Sequence, residues 1–367
     1  MLDFYKTPAL IIDVARVENN IRKMEQIAKQ NRCNLRPHIK THKISELAKM
    51  QLDAGAVGIT CAKLSEAEVM ADAGINDIFI AYPLIDKEKI EQAIKLGKKI
   101  RLILGVDSFE GADMISRVAR SQDVAAEVRI EIDTGLKRTG ISGNDAMELT
   151  KYISNLPGLN LTGIYTYRGL MLDAKPTDDR EAAGRQEGEL LVYFAEKLKK
   201  EGIEIEEISV GSTPTAEFAA KVGGVTEIRP GTYIFNDMMQ VNIKSASIDD
   251  CAAMVLVNVI STPSDNIAVI DGGSKTFSTD AKTEVFPYFL KGYGKIVGYE
   301  DLILDCMWEE HGVISSSNGK TNLKIGQKLM VIPNHICTTV NLHDYVYFTG
   351  LDSSSRKVRI EARGKLW

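Results

Sequence analysis

The apolar positions of this chain follow two rhythms. Through the first two-thirds, short apolar runs alternate with stretches whose apolar residues recur at helical spacing. The predicted strands are NLRPHIK (34–40), GITCAK (58–63), DIFIAYP (77–83), RLILGVD (101–107), EVRIEID (127–133), LTGIYTY (161–167), EISVGS (207–212) and EIRPGTYIF (227–235). Between them, ISELAKMQLDAG, SEAEVMADAG and DKEKIEQAIKLG predict helices, several ending in glycine as helix C-caps commonly do. Strands alternating with helices imply parallel pairing. Eight such units over about 230 residues predict an α/β fold, a (β/α)8 TIM-type barrel. The alternative is an open doubly wound sheet, but no glycine-rich dinucleotide turn follows the first strand.

After about residue 240 the rhythm changes. MVLVNVIST, NIAVIDGG, GKIVGY, KLMVIP and YVYFTG are short β-type runs separated by turn-rich segments, with no long amphipathic helix. They predict a C-terminal β-rich domain, with the N-terminal run ALIIDV as a candidate addition. The division expected is a barrel over 10–240 and a β domain over 241–367 plus residues 1–9. A chain of 367 residues is long for a single core, which agrees with two domains.

Composition narrows the function classes. The chain is 44% hydrophobic and 26% charged, with net charge −5, so it carries no overall basic footprint for nucleic acid. No apolar run approaches a membrane span, and the N-terminus lacks the pattern of a secretion signal. Five scattered cysteines (Cys33, Cys61, Cys251, Cys306, Cys337) suit a reducing cytoplasm better than a disulfide framework.

In a barrel of this type the chemistry gathers at the C-terminal strand ends. The first holds RPHIKTHK (36–43), which contains two of the chain's five histidines. A lysine ending a buried strand can lose its proton and form a Schiff base; a basic solvent-facing loop is the plainer alternative. If 36–40 is extended, Arg36, His38 and Lys40 share one face. The fifth strand ends in EIDTGLKRTG, and the sixth in Tyr165-Thr-Tyr167-Arg168-Gly169. The last two end in Gly211-Ser212-Thr213-Pro214-Thr215 and in Arg229-Pro-Gly231-Thr232-Tyr233. Glycines permit close backbone approach and hydroxyls donate, so these two ends form a candidate phosphate cup. GSTPT also serves as an ordinary N-cap.

Together RPHIKTHK, TCAKLSEAEVM, EIDTGLKRTG, RPGTYIFND, DGGSKTFSTD, EEHG and PNHICTTVNLHD resemble the D-threonine aldolase and eukaryotic-type D-serine dehydratase family. The motifs run from residue 36 to 344, nearly the whole chain. The resemblance implies the alanine-racemase-type fold with pyridoxal 5′-phosphate (PLP), a C-terminal β domain and a homodimer. It makes Lys40 the Schiff-base lysine, with Lys43 the competing candidate. It places Arg138 near the cofactor ring oxygen and Tyr167 against the ring. Gly211, Ser212, Thr213, Gly231 and Thr232 would hold the phosphate. His38 and Tyr233 are counted with the cofactor contacts, although Tyr233 could equally be core. His311, within EEHG, is expected near the active site, with a structural role as the alternative.

The same resemblance assigns His335 and Cys337 to a divalent cation beside the substrate's 3-hydroxyl. On spacing alone, a core cysteine beside a packed histidine is an equal alternative. Thiolate and imidazole suit Zn²⁺, whereas a carboxylate suits Mg²⁺ or Mn²⁺. Cys337 therefore favours zinc and the dehydratase branch: β-elimination from a D-3-hydroxy amino acid, giving a 2-oxo acid and ammonia. Retro-aldol cleavage to glycine and an aldehyde is the alternative. Relatives carry a histidine shortly after the sixth-strand tyrosine; this chain reads YRGLMLDAKPTDD there. Arg168 is instead a candidate for a substrate's second carboxylate, as in 3-hydroxyaspartate, against a plain surface arginine. From other classes come an amino-acid racemase, for which no second catalytic tyrosine motif is evident, and a non-catalytic PLP-binding protein, which would be a lone barrel.

Overall fold

The computed structural model describes residues 5–350 and 355–367. The chain forms two compact units. One comprises the chain up to Ile21, Thr41–Ile44 and Thr232–Gly364; the other comprises Arg22–Lys40, Ser45–Gly231 and Lys365–Trp367. The unit boundary therefore follows Gly231 rather than residue 240, and the N-terminal contribution to the β-rich unit runs past residue 9. Strand pairing explains the second difference. β1 (Ala9–Asp13) sits in the β-rich sheet, with Leu10 opposite Val255 on one side and Val346 on the other. Residues 1–4 of the expected N-terminal addition lie outside the described residues.

After α1 (Val14–Gln30) the barrel unit runs through β2 (Asn34–Leu35), β3 (Ile59–Cys61), β4 (Asp77–Pro83), β5 (Arg101–Val106), β6 (Ala126–Glu131) and β7 (Leu159–Tyr165). A short hairpin, β8 (Met171–Leu172) and β9 (Lys175–Pro176), precedes β10 (Glu207–Val210) and β11 (Glu227–Ile228). The eight barrel strands pair in parallel in the order β2-β11-β10-β7-β6-β5-β4-β3. Hydrogen bonds from Val57 N to Leu35 O (3.0 Å) and from Thr60 N to Pro37 O (2.8 Å) join β2 to β3 and close the ring. Intervening helices are α2 (Ser45–Asp53), α3 (Leu64–Asp72), α4 (Lys87–Gly97), α5 (Phe109–Ser121), α6 (Gly143–Ser154), α7 (Arg180–Lys200) and α8 (Ala216–Ala219). The strands are buried, as parallel strands covered by helices must be. Ile78, Phe79 and Ile80 are all fully buried, and Phe79, Ile103 and Tyr165 form one cluster.

Two predicted strands are shorter than their sequence runs. In 34–40 only Asn34–Leu35 is regular strand, and Ile39–Thr41 is a 3-10 turn. In 227–235 only Glu227–Ile228 is strand, and Thr232–Ile234 is again a 3-10 turn. Each run contains a proline, Pro37 or Pro230, which has no N–H to give a ladder. The face expected to carry Arg36, His38 and Lys40 is broken by the first turn. Arg36 is buried, bonded to Glu227 (2.7 Å) and to Asp77. Glu227 also accepts from Arg129 (2.6 Å) and from the Ser209 hydroxyl. Burial opposes its charge, but the flanking Arg36 and Arg129 hold its carboxyl down to about 2.

The β-rich unit is a sheet of nine described strands. Its main path is β15 (Leu302–Met307), β16 (Gly312–Ser316), β13 (Ile267–Ile270), β12 (Ala253–Ser264), β1, β18 (Tyr345–Thr349) and β19 (Ser355–Arg359). β17 (Lys328–Pro333) adds to β12 and carries β14 (Gly294–Ile296). Two short helices, α9 (Met238–Asn242) and α10 (Ile336–Asn341), complete it. The runs LILDCM, GVISS and SRKVR were not among the predicted strands; their polar positions hide them from a hydrophobic scan.

Candidate active site

In the barrel unit, Lys40 lies in the 3-10 turn one residue from the unit's edge, and its Nζ is 5.5 Å from the centroid of the Tyr167 ring. The Arg138 guanidinium is 4.8 Å from the same centroid. Two cations from two loops thus converge on the aromatic ring of a third. Neither cation has a hydrogen-bonded or ion-paired carboxylate among the described residues. The Arg138 loop is held from below. Asp133 accepts from Gly135 N and Lys137 N (2.9 and 3.1 Å), Thr139 donates to Glu131 (3.0 Å), and Gly140 N donates to Asp107 (3.1 Å). His38 bridges to Thr60, and its backbone N–H donates to Pro230 O at 3.0 Å.

The loop after β10 carries Gly211, at φ +93°, which a side chain would strain. Ser212 and Thr213 follow and are buried. Ser212 N donates to the Thr215 hydroxyl (3.1 Å), and the two hydroxyls lie 2.9 Å apart. Gly231 belongs to the barrel unit. Arg168 is not a surface residue: it is 1% exposed, and its Nε and Nη1 have no hydrogen-bond partner. Burial pulls its pKa down from the usual arginine value, while Glu187, Asp173 and Asp133 pull it back up.

The β-rich unit gathers a second set. His335 Nδ1 lies 2.7 Å from Asp280 Oδ2, and Thr338 donates to the other Asp280 oxygen at 2.8 Å. The His335 imidazole and the Cys337 sulfur interact electrostatically, each favouring the charged form of the other. Burial disfavours a charged imidazole, but Cys337 and Asp280 hold the His335 proton up to about 11. Burial likewise opposes the Cys337 thiolate, yet His335 keeps the thiol below its ordinary value. Thr41 Oγ1 is 3.2 Å and Thr232 Oγ1 is 3.6 Å from the Cys337 sulfur. Asp237, pushed up to about 6 by burial, accepts from Ile336 N (3.0 Å) and Gln240 N (3.1 Å), pinning the turn that follows His335. Among the described residues no group of three or more His, Cys, Asp or Glu side chains is arranged for a metal, so the pair stands as two donors.

The remaining candidates fall elsewhere in this unit. Thr232 lies beside Cys337, and Tyr233 is 3% exposed, as a core residue is. His311 is exposed in the β15–β16 turn, where its carbonyl accepts from Trp308 N at 2.9 Å. That turn meets the DGGSKTFSTD segment through Ser274 N to Trp308 O (2.8 Å) and Lys275 N to Glu309 O (3.1 Å). Gly273 permits the approach, since a Cβ there would lie 2.7 Å from Glu309 O and His311 N. Sequence reasoning passed over Asp280, although it ends one of the family motifs. It also passed over Glu187, whose signal was a carboxylate on the small-residue stripe of α7.

Comparison with known proteins agrees with the fold and these motifs. The family model for the alanine racemase N-terminal domain matches residues 12–238, and that for a putative serine dehydratase domain matches residues 252–349. D-threo-3-hydroxyaspartate dehydratase of Delftia sp. (strain HT23) is 34% identical over 348 residues, covering 91% of each chain. D-threonine aldolase of Arthrobacter sp is 31% identical over 342 residues, covering 92% of this chain and 87% of that one. A solved structure of D-threo-3-hydroxyaspartate dehydratase, a cysteine-to-alanine mutant in the metal-free form, resembles this chain at TM-score 0.89 and 32% identity, over 99% of this chain and 98% of its own. The chain belongs to the alanine-racemase-type PLP enzymes and, within them, to the lyase family of D-threonine aldolases and D-serine dehydratases.

Proposed function

We propose that the chain is a PLP- and metal-dependent lyase that eliminates water from D-3-hydroxy amino acids, giving a 2-oxo acid and ammonia. The observation that carries elimination is the electrostatically coupled pair His335–Cys337. Thiolate and imidazole are donors that suit Zn²⁺ over Mn²⁺ or Mg²⁺. Two protein donors leave coordination positions for water and a substrate hydroxyl. The barrel residues fit the cofactor: two cations at one aromatic face, neither hydrogen-bonded to a carboxylate, suit an anionic ring compound.

Bound PLP supplies an electron sink for the substrate α-carbon. Lys40 Nζ anchors the cofactor and, once released by substrate, takes the α-proton. Arg138 donates toward the ring oxygen, and Tyr167 bounds the ring. Gly211, Ser212, Thr213, Gly231 and Thr232 hold the phosphate. His335 and Cys337 would hold the metal, which would supply Lewis acidity to a substrate 3-hydroxyl. Asp280 fixes the His335 ring, and Thr338 fixes Asp280. Arg168 receives a second substrate carboxylate; its unpaired buried nitrogens support that role. Unchanged 3-hydroxyaspartate turnover by Arg168→Ala would sink it.

A second reading, retro-aldol cleavage to glycine and an aldehyde, is favoured by the likeness to D-threonine aldolase. The enzyme works as a homodimer on a small molecule, and its five free cysteines suit a reducing cytoplasm. Among the described residues no helix is long and apolar enough to cross a membrane. The test is spectroscopic and chemical. A visible PLP band should respond to D-serine or 3-hydroxyaspartate, with 2-oxo acid formation lost on chelation and restored by Zn²⁺. Undiminished 2-oxo acid formation by metal-stripped protein would contradict the metal assignment.

A further inference from the structure

We propose that Asp237 is a positioning residue that clamps the backbone around His335 and so sets the bite of the His335–Cys337 pair. The proposal rests on the reading that this pair holds the divalent cation. His335 occupies the N-cap position of α10, and Cys337 is the second residue of that helix. The start of a helix leaves backbone N–H groups without acceptors, and the N-cap side chain ordinarily accepts from one of them. The His335 side chain does not. Its Nδ1 is committed to Asp280 at 2.7 Å instead.

Asp237 supplies the missing acceptor from another segment. One of its oxygens caps its own helix, α9, accepting from Gln240 N at 3.1 Å. The other accepts at 3.0 Å from the N–H of Ile336, the residue between the two metal donors. From the same helix end, Met239 N donates at 3.2 Å to the carbonyl of Asn334, the residue before His335. The start of α9 therefore grips the chain on both sides of His335. Asp237, Asn334 and Ile336 are buried, so water does not compete for these bonds. For α9 alone a serine would cap as well as an aspartate. A carboxylate brings two acceptor oxygens where a hydroxyl brings one, and here the second oxygen goes to α10.

The test uses the PLP-loaded full chain. Zn²⁺ affinity is measured by competition with a chromogenic chelator, and donor geometry by the sulfur-to-metal charge-transfer band of the Co²⁺-loaded protein. Asp237→Ser keeps a cap for α9 and withdraws the second oxygen from Ile336. Asp237→Asn, of nearly the same volume but with one acceptor oxygen, is carried in parallel with the same expectation. Ile336→Pro removes the N–H itself. Proline is tolerated at the first helical position, and His335, at φ −131° and ψ 110°, already has the extended backbone that a following proline favours. The expected result is Zn²⁺ affinity about tenfold weaker in Asp237→Ser, with an altered Co²⁺ band and an unchanged PLP band. In the Ile336→Pro background, Asp237→Ser should cost no further affinity. Wild-type Zn²⁺ affinity and Co²⁺ band in Asp237→Ser would reduce Asp237 to the cap of α9 and overturn the proposal. So would an equal loss in both backgrounds, since Asp237 would then act other than through Ile336. If Cys337→Ala keeps the wild-type Zn²⁺ affinity and Co²⁺ band, the reading of the metal pair fails and the proposal with it.

Discussion

The two units carry opposite chemistry. The barrel unit presents two cations, Lys40 and Arg138, at one tyrosine face, with Glu131 near enough to Arg138 to feel its charge. The β-rich unit presents imidazole, sulfur and carboxylate donors coupled to one another. The first arrangement is the proposed place of an anionic cofactor and the second that of the proposed cation. Elsewhere in the barrel, the buried Arg36 is bonded to Glu227 and Asp77. Charge itself is therefore no pointer to a ligand, since a buried charge such as Arg36 is held by partners of its own.

Single substitutions can break this contrast. Lys40→Ala should remove the visible cofactor band and lower turnover by on the order of 10³-fold, measured by absorbance and product assay; an intact band would move the role to Lys43. Cys337→Ala should abolish metal binding and elimination while leaving the barrel's PLP band in place, read by metal analysis beside the spectrum. Asp280→Asn should weaken metal affinity by roughly 10–100-fold through a misoriented His335.

The smallest effects concern two buried carboxylates of opposite sign. Glu227 is depressed from an ordinary 4.5 to about 2. Its contribution is present above pH 4.5 and is lost as pH falls through 2, and Glu227→Gln should cost roughly 3 kcal/mol near neutrality. Glu187 is raised from 4.5 to about 7. Its charging opposes folding progressively between pH 4.5 and 7, so Glu187→Gln should gain stability over wild type across that window and hold it above. Denaturant titrations at pH 4, 6 and 8 check both signs.

Much of this was legible in the sequence, for identifiable reasons. Eight apolar runs alternating with helical patterns specify a parallel barrel, and the order of strand ends specifies where Lys40, Arg138 and Tyr167 emerge. Strand lengths were less legible, because Pro37 and Pro230 leave the ladder without a donor. The strands at 302–307, 312–316 and 355–359 were hidden by polar residues. His335 and Cys337 came from the family resemblance, since their spacing alone left a packed core pair equally open, and Asp280, 55 residues away, is brought to His335 only by the fold. The burial of Arg168 and the bonds of Glu187 depend on how α7 lies against the barrel rim, which no local pattern encodes.

The central claim is that the soft His335–Cys337 pair directs elimination rather than carbon–carbon cleavage. The most direct measurement is product analysis with 3-hydroxyaspartate, D-serine and D-threonine, on protein of measured metal content. The account predicts 2-oxo acid and ammonia in equal amounts, in proportion to bound zinc. Glycine-type product and aldehyde, formed at the same metal occupancy, would contradict it.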